Sequence, residues 1–121
     1  MQIRKSIRSF KPAIKGILES IREGNNIKIH LVAALCAIIL SIYLHISALD
    51  WCIILLCIGL VISAELCNTS IEMIVDKITS KQEEWARRTK DTAAGAVLIL
   101  AALAFIVGMI IWYPYILKLI E

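Results

Sequence analysis

An all-α integral membrane protein, with an N-terminal amphipathic helix on the surface and three transmembrane helices, is the fold class this sequence predicts. Three observations carry it. The 121 residues are 60% hydrophobic, with a mean hydropathy of +0.80; a domain this small keeps much of its surface exposed and cannot hide so many apolar side chains in one water-soluble core. Three apolar stretches, 27–49, 51–76 and 92–117, reach or pass the about 20 helical residues that cross hydrocarbon. The bilayer offers the backbone no hydrogen bonds, so these stretches must be helices.

In chain order, the segment 1–24 places Ile3, Ile7, Phe10, Ile14, Ile17, Leu18 and Ile21 at a period close to 3.6, with basic residues mostly between them. That pattern describes a helix lying on an anionic surface. Pro12 is expected to interrupt it and to start a second helical piece, because proline suits a first turn better than an interior. "EGNN", 23–26, reads as a turn-rich break before the first span. No cleavable secretion signal is evident, since charges run through the first 30 residues.

The first span, 27–49, and the second, 51–76, are joined by a short turn at 45–50 that contains "SALD" and no Lys or Arg. By contrast, Arg4, Lys5, Arg8, Lys11, Lys15, Arg22 and Lys28 stand at or before the start of the first span, and Lys77, Lys81, Arg87, Arg88 and Lys90 lie between the second and third. The positive-inside rule then puts the N-terminus and the 77–91 loop in the cytoplasm, and the 45–50 turn and the C-terminus outside. Within that loop, Ser80 and Glu83 have the form of a capping box that starts the third helix in the cytosol. Its span, 92–117, opens with Ala93, Ala94, Gly95 and Ala96, small residues that permit close helix packing or approach of a ligand to backbone. No repeat or low-complexity tract divides the chain, so 1–121 is a single membrane domain.

Several function classes drop out. Cys36, Cys52, Cys57 and Cys67 sit in or beside apolar spans without zinc or redox spacing, and read as packing residues. The net charge of +3 follows from topology, and no aromatic-basic motif points to nucleic acid. His30 and His45 read as interfacial side chains. Trp51, Trp112, Tyr113 and Tyr115 read as an aromatic belt at the outer boundary, with Trp85 on the inner side.

What packing does not explain is a polar stripe. Glu65, Asn68, Glu72 and Asp76 are spaced i, i+3, i+7 and i+11, which at about 100° per residue puts them near 0°, 300°, 340° and 20° on one helix face. If hydrocarbon begins near Trp51, Glu65 lies about 21 Å in and roughly 9 Å from the cytosolic boundary. A carboxylate there costs on the order of 2.5–3.5 kcal/mol, so it marks a ligand path, a relay or a charge pair. Salt-bridging, snorkelling of Asp76 and interhelical bonding by Asn68 are the structural alternatives.

Lys90 and Asp91, in "RRTKD", sit at the foot of the third helix near the depth of Glu72 and Asp76. Alone they are a positive-inside anchor; beside the stripe they form a phosphate site. Carboxylates hold Mg²⁺ through oxygen while substrate phosphates supply further ligands, and Lys offers the phosphates a point charge. Neither a GxxxxGK[ST] loop nor a kinase GxGxxG loop is present, so any nucleotide site is built another way.

"ELCNTSIEMIVD" (65–76), followed after a polar loop by "AxxxKDxAAGAVL" (86–98), closely resembles the prokaryotic membrane-integral diacylglycerol kinase family, which includes undecaprenol kinases. The resemblance covers nearly the whole chain. It implies a homotrimer of three-span protomers in the bacterial cytoplasmic membrane, with active sites at protomer interfaces near the cytosolic face, where ATP phosphorylates a membrane lipid alcohol to phosphatidic acid or undecaprenyl phosphate. By motif, Glu65 would be the general base, Asn68 a polar support, Glu72 the principal Mg²⁺ ligand, Lys90 and Asp91 nucleotide contacts, and Asp76 a member of the polar cluster.

One departure stands out: the family's second metal-binding Glu, aligned without a gap on His30, falls on Gly24, with Glu23 one residue early. Glu23 is then the substitute ligand and Glu19 a weaker one, while Asn26 and Lys28 near the same entrance are further ATP contacts. "KDTAAGAVL" resembles the undecaprenol-preferring branch. The rival reading is a small oligomeric ion- or proton-coupled transporter, which would place its carboxylates near the midplane and leave Lys90 and Asp91 without a role. A catalytically silent interaction protein on the same scaffold is a third.

Overall fold

A computed structural model describes all 121 residues as four helices and no strand: α1 (Gln2–Glu23), α2 (Asn25–Leu44), α3 (Ala48–Ile78) and α4 (Glu84–Ile120). The last three are each long and apolar enough to cross a membrane. Only 13 of the 121 residues are buried, so most of the apolar surface faces outward, as a bilayer solvent allows and water does not.

Each spanning helix buries a stripe at alternating steps of three and four. On α2 it runs Ile27, His30, Ala34, Ala37, Ser41 and Leu44; on α3 it runs Ile54, Ile58, Val61, Glu65, Asn68, Glu72 and Val75; on α4 it includes Ala86, Lys90, Ala93, Val97, Ala104, Gly108 and Ile111. This is the 3.5-residue repeat of helices packed side by side. α3 packs most extensively on α4. Leu44, Ile46, Ile54 and Ile111 form the apolar cluster at the α2–α3 turn end.

That end is also tied by hydrogen bonds. Tyr115 Oη donates to Asp50 Oδ2 at 2.6 Å and accepts from Ser47 N at 3.0 Å, and Trp112 Nε1 donates to the fully buried Ser41 Oγ at 3.1 Å. Trp112 and Tyr115, expected only as membrane anchors, join α4 to α2, to the turn and to α3. Gly108 makes room for the indole, since a Cβ there would meet Trp112 at 3.0 Å, whereas one on Gly95 would meet nothing within 4 Å.

Helix ends depart from the sequence expectations for local reasons. α1 runs through Pro12 without a break; its surface is exposed, so water can satisfy the carbonyl that proline leaves without a donor. The break before α2 is Gly24 alone, and both asparagines of "EGNN" are helical. Gly24 is extended (φ −92°, ψ 134°), and a Cβ would meet Ser20 O at 2.9 Å. α2 ends at Leu44, short of 49, because His45 is left-handed (φ 55°) and its Nδ1 bonds Tyr43 O. α3 starts earlier than expected, with Ser47 Oγ accepting from Asp50 N at 3.1 Å.

α3 continues to Ile78, so the loop shrinks to 79–83. The expected capping box does not form: Glu83 occupies the cap position of α4 without a side-chain cap bond, and its carboxylate takes up Trp85 Nε1 and Thr79 Oγ1 instead. Ser80 is left in the bend.

Candidate active site

The polar stripe divides. Glu65 and Asn68 lie on the buried seam of α3, at 4% and 3% exposure, with Glu72 half-buried one turn on. Asp76, predicted on the same face, is exposed, and Val75 takes its place in the seam. The helix repeats every 3.6 residues and the seam every 3.5, so the seam drifts by about 20° per heptad, enough by the third turn for Val75 rather than Asp76 to lie on it. Asp76 falls at the edge, where it forms an ion pair with Lys90 of α4.

Asp91 does not join them. One residue beyond Lys90 it points about 100° away, exposed, and accepts from Arg87 Nη1 at 2.8 Å. Arg87 also pairs with Glu84, and these two carboxylates, Glu84 foremost, raise its pKa above the usual arginine value. Asp76, Lys81, Glu84, Arg87, Lys90 and Asp91 line a polar cleft of about 400 Å³ at this end. Lys28 turns back to α1, its Nζ donating to Arg22 O at 3.3 Å.

Glu23 lies elsewhere. It lines a cleft between α1 and α3 with Glu19, Ser20, Leu66, Thr69 and Met73, a face of α3 roughly a quarter-turn from Glu72. Asn26, in contrast, lines a cavity of about 220 Å³ with His30, Glu65, Asn68, Ala94 and Val97. His30, which sequence reasoning set aside as interfacial, approaches Glu65, with Nε2 3.7 Å from Oε2. Its place on the α2 seam beside Ile27 was a signal that the three-and-four repeat carried.

The seam is rich in acceptors and short of donors. No donor reaches hydrogen-bond distance of the Glu65 carboxylate; Asn68 Nδ2 donates to Glu72 Oε1 at 3.3 Å, and Asn68 Oδ1 is buried with no partner. Buried acceptors left like this cost stability. A hydroxyl at Glu65 and a hard cation at Asn68 Oδ1 and Glu72 would satisfy them. The oxygen donors fit Mg²⁺, although one chain gathers no three His, Cys, Asp or Glu side chains suited to a metal.

A second cavity of about 220 Å³, walled by Ala34, Ala37, Val61, Ala101 and Ala104, shares His30 and Ala101 with the first. An apolar cavity thus adjoins the one that holds a buried carboxylate, and a cleft of mixed charge lies further along α3 and α4. Fold and site together define a helical protein with three helices fit to cross a membrane and a buried carboxylate beside an apolar cavity.

The particular family follows from comparison. The family model for prokaryotic diacylglycerol kinase matches residues 11–112. Among named relatives, undecaprenol kinase of Bacillus subtilis (strain 168) is 39% identical over 113 residues, 93% of this chain and 92% of the relative. A diacylglycerol kinase of a Synechocystis strain is 35% identical over 92% of this chain and 64% of its own length. Diacylglycerol kinase of Escherichia coli (strain K12) is 36% identical over 67% of this chain and 63% of its own length. The chain belongs to the prokaryotic diacylglycerol kinase family and is a membrane-embedded lipid kinase; the transporter and silent-scaffold readings give way to that membership.

Proposed function

We propose that the protein transfers the γ-phosphate of Mg-ATP to the hydroxyl of undecaprenol at the cytosolic face of the bacterial cytoplasmic membrane, with diacylglycerol the competing acceptor. The observation that carries this reading is the Glu65 carboxylate, buried without a donor in a cavity that adjoins the apolar one at His30 and Ala101. A lipid alcohol cannot leave the membrane, so the head end of its chain enters the apolar cavity, the rest stays among lipid, and its hydroxyl donates to Glu65. Similarity to an undecaprenol kinase over nearly the full length of both chains supports that acceptor.

In the transfer, Glu65 accepts the hydroxyl proton as the lipid oxygen bonds to the γ-phosphorus, and the bond from phosphorus to the β–γ bridging oxygen breaks to release ADP. Glu72 and Asn68 Oδ1 would hold the cation through oxygen beside the phosphates. Mg²⁺, when bound, neutralises phosphate charge. Lys90 and Asp91 contact the nucleotide, with Asp76 holding the lysine until phosphate competes for it. Glu23, off the Glu72 face within one chain, is at most a peripheral contributor. The apolar face of α1 rests on the membrane surface, the N-terminus is cytosolic and the C-terminus outside, and three protomers assemble.

The test is phosphate transfer from radiolabelled ATP and Mg²⁺ in mixed micelles, with undecaprenol and diacylglycerol offered separately and Glu65→Gln alongside. Label in undecaprenol from the native protein but not from Glu65→Gln supports the proposal. Faster label in diacylglycerol changes the acceptor, and none in either lipid from folded protein overturns the reading.

A further inference from the structure

The Glu65 carboxylate is meant to receive a proton at a defined point, yet nothing on its own helix holds it there. Thr69 and Ser70, one turn on, turn their hydroxyls back to the carbonyls of Glu65 and Leu66 at 3.0 and 3.1 Å, so neither is offered to the carboxylate. Asn68 donates toward Glu72. The titratable side chain that approaches it comes from another helix: His30 of α2, with Nε2 3.7 Å from Oε2 and side-chain exposures of 20% and 6% for the two residues.

His30 occupies a position that packing alone would fill with an apolar residue. Its neighbours on the α2 seam are Ile27, at 1% exposure, then Ala34 and Ala37. An imidazole placed there loses hydration, which is costly unless a partner compensates, and Glu65 is the partner at hand. It also stands where the apolar cavity meets the polar one, lining both.

From this we infer that His30 is the positioning residue for Glu65: its Nε2–H donates to Oε2 and fixes the carboxylate with the other oxygen turned to the incoming hydroxyl. The inference rests on the lipid-kinase mechanism above. The observed separation is just beyond hydrogen-bonding range, and such bonds in unliganded sites commonly tighten once substrate is bound. The imidazole forms no bond to the lipid or to phosphate; it acts through Glu65. Misplacement of a reacting group by about 1 Å is enough to cost on the order of 10²-fold in rate, which sets the scale of the effect.

The experiment compares native enzyme, His30→Gln, which keeps an N–H donor, and His30→Leu, which keeps bulk without one, in the same micelle assay. Loss of the donor should lower kcat on the order of 10²-fold with the KM values for lipid and ATP little changed, and His30→Gln should recover about tenfold of that loss. Independently of activity, the carboxylate stretch of Glu65, isolated as the infrared difference between native protein and Glu65→Gln, should shift in His30→Leu. Full kcat in His30→Leu, equal loss in both His30 variants, or an unshifted carboxylate band would overturn the inference while leaving the kinase reading intact. An inactive native protein would remove both.

Discussion

Asn68 is where stability and use pull apart most sharply. Its Oδ1 is buried and unpaired while its amide leans on Glu72, so an apolar side chain of similar size should be tolerated or even stabilise the fold. Asn68→Leu is expected to keep or raise Tm while phosphate transfer falls more than tenfold, the trade-off of a strained functional position; parallel thermal melts and activity assays check it. Glu72→Gln should raise the Mg²⁺ concentration needed for half-maximal rate by more than tenfold, and Glu23→Gln by less, because Glu23 lies on another face of α3. A Mg²⁺ titration of each variant separates them. Asp76 and Lys90 are 64% and 36% exposed, so breaking their pair by Asp76→Asn should change stability by less than about 1 kcal/mol. Its effect should appear instead in the KM for ATP.

At the scale of the elements, side-chain hydrogen bonds tie the helices together at the α2–α3 turn end. Tyr115 bridges Ser47 N and Asp50, and removing its hydroxyl leaves both without that partner. Tyr115→Phe should therefore cost about 1–3 kcal/mol, seen as a lower Tm, with kcat per folded molecule unchanged because the residue stands at the far end from Glu65. α1 carries Pro12 within its helix and buries nothing. Interior proline costs a helix about 3 kcal/mol, so Pro12→Ala should slow amide hydrogen exchange across α1 and leave that of α3 as it was. Gly24 leaves no room for a Cβ against Ser20 O, which explains physically why a larger residue is not accommodated at this junction in its present backbone.

For the molecule as a whole, the unpaired apolar surfaces of α2, α3 and α4 must meet lipid or other copies of the chain. Three-copy assembly would be measured by native mass spectrometry from detergent, and a protomer that remained single at full activity would remove the trimer from the proposal. Sidedness is equally direct. Trypsin added to the cytosolic side should cut within the 79–83 loop after Lys81, and from the other side that bond should survive.

Length and hydropathy, read along the chain, were enough for three spanning helices, because bilayer thickness and backbone hydrogen bonding leave few alternatives. Periodicity was also enough to bring Glu65, Asn68 and Glu72 onto one face, and the polar signature to recognise the family. Helix ends were less legible: His45 and Gly24 stop helices through backbone conformation, which apolar composition does not encode. Neither the pairing of Asp76 with Lys90 nor the approach of His30 to Glu65 follows from one helix considered alone. Each depends on how a 3.6-residue helix meets a 3.5-residue seam and on which neighbouring side chain stands opposite, and that is decided only when α2, α3 and α4 pack.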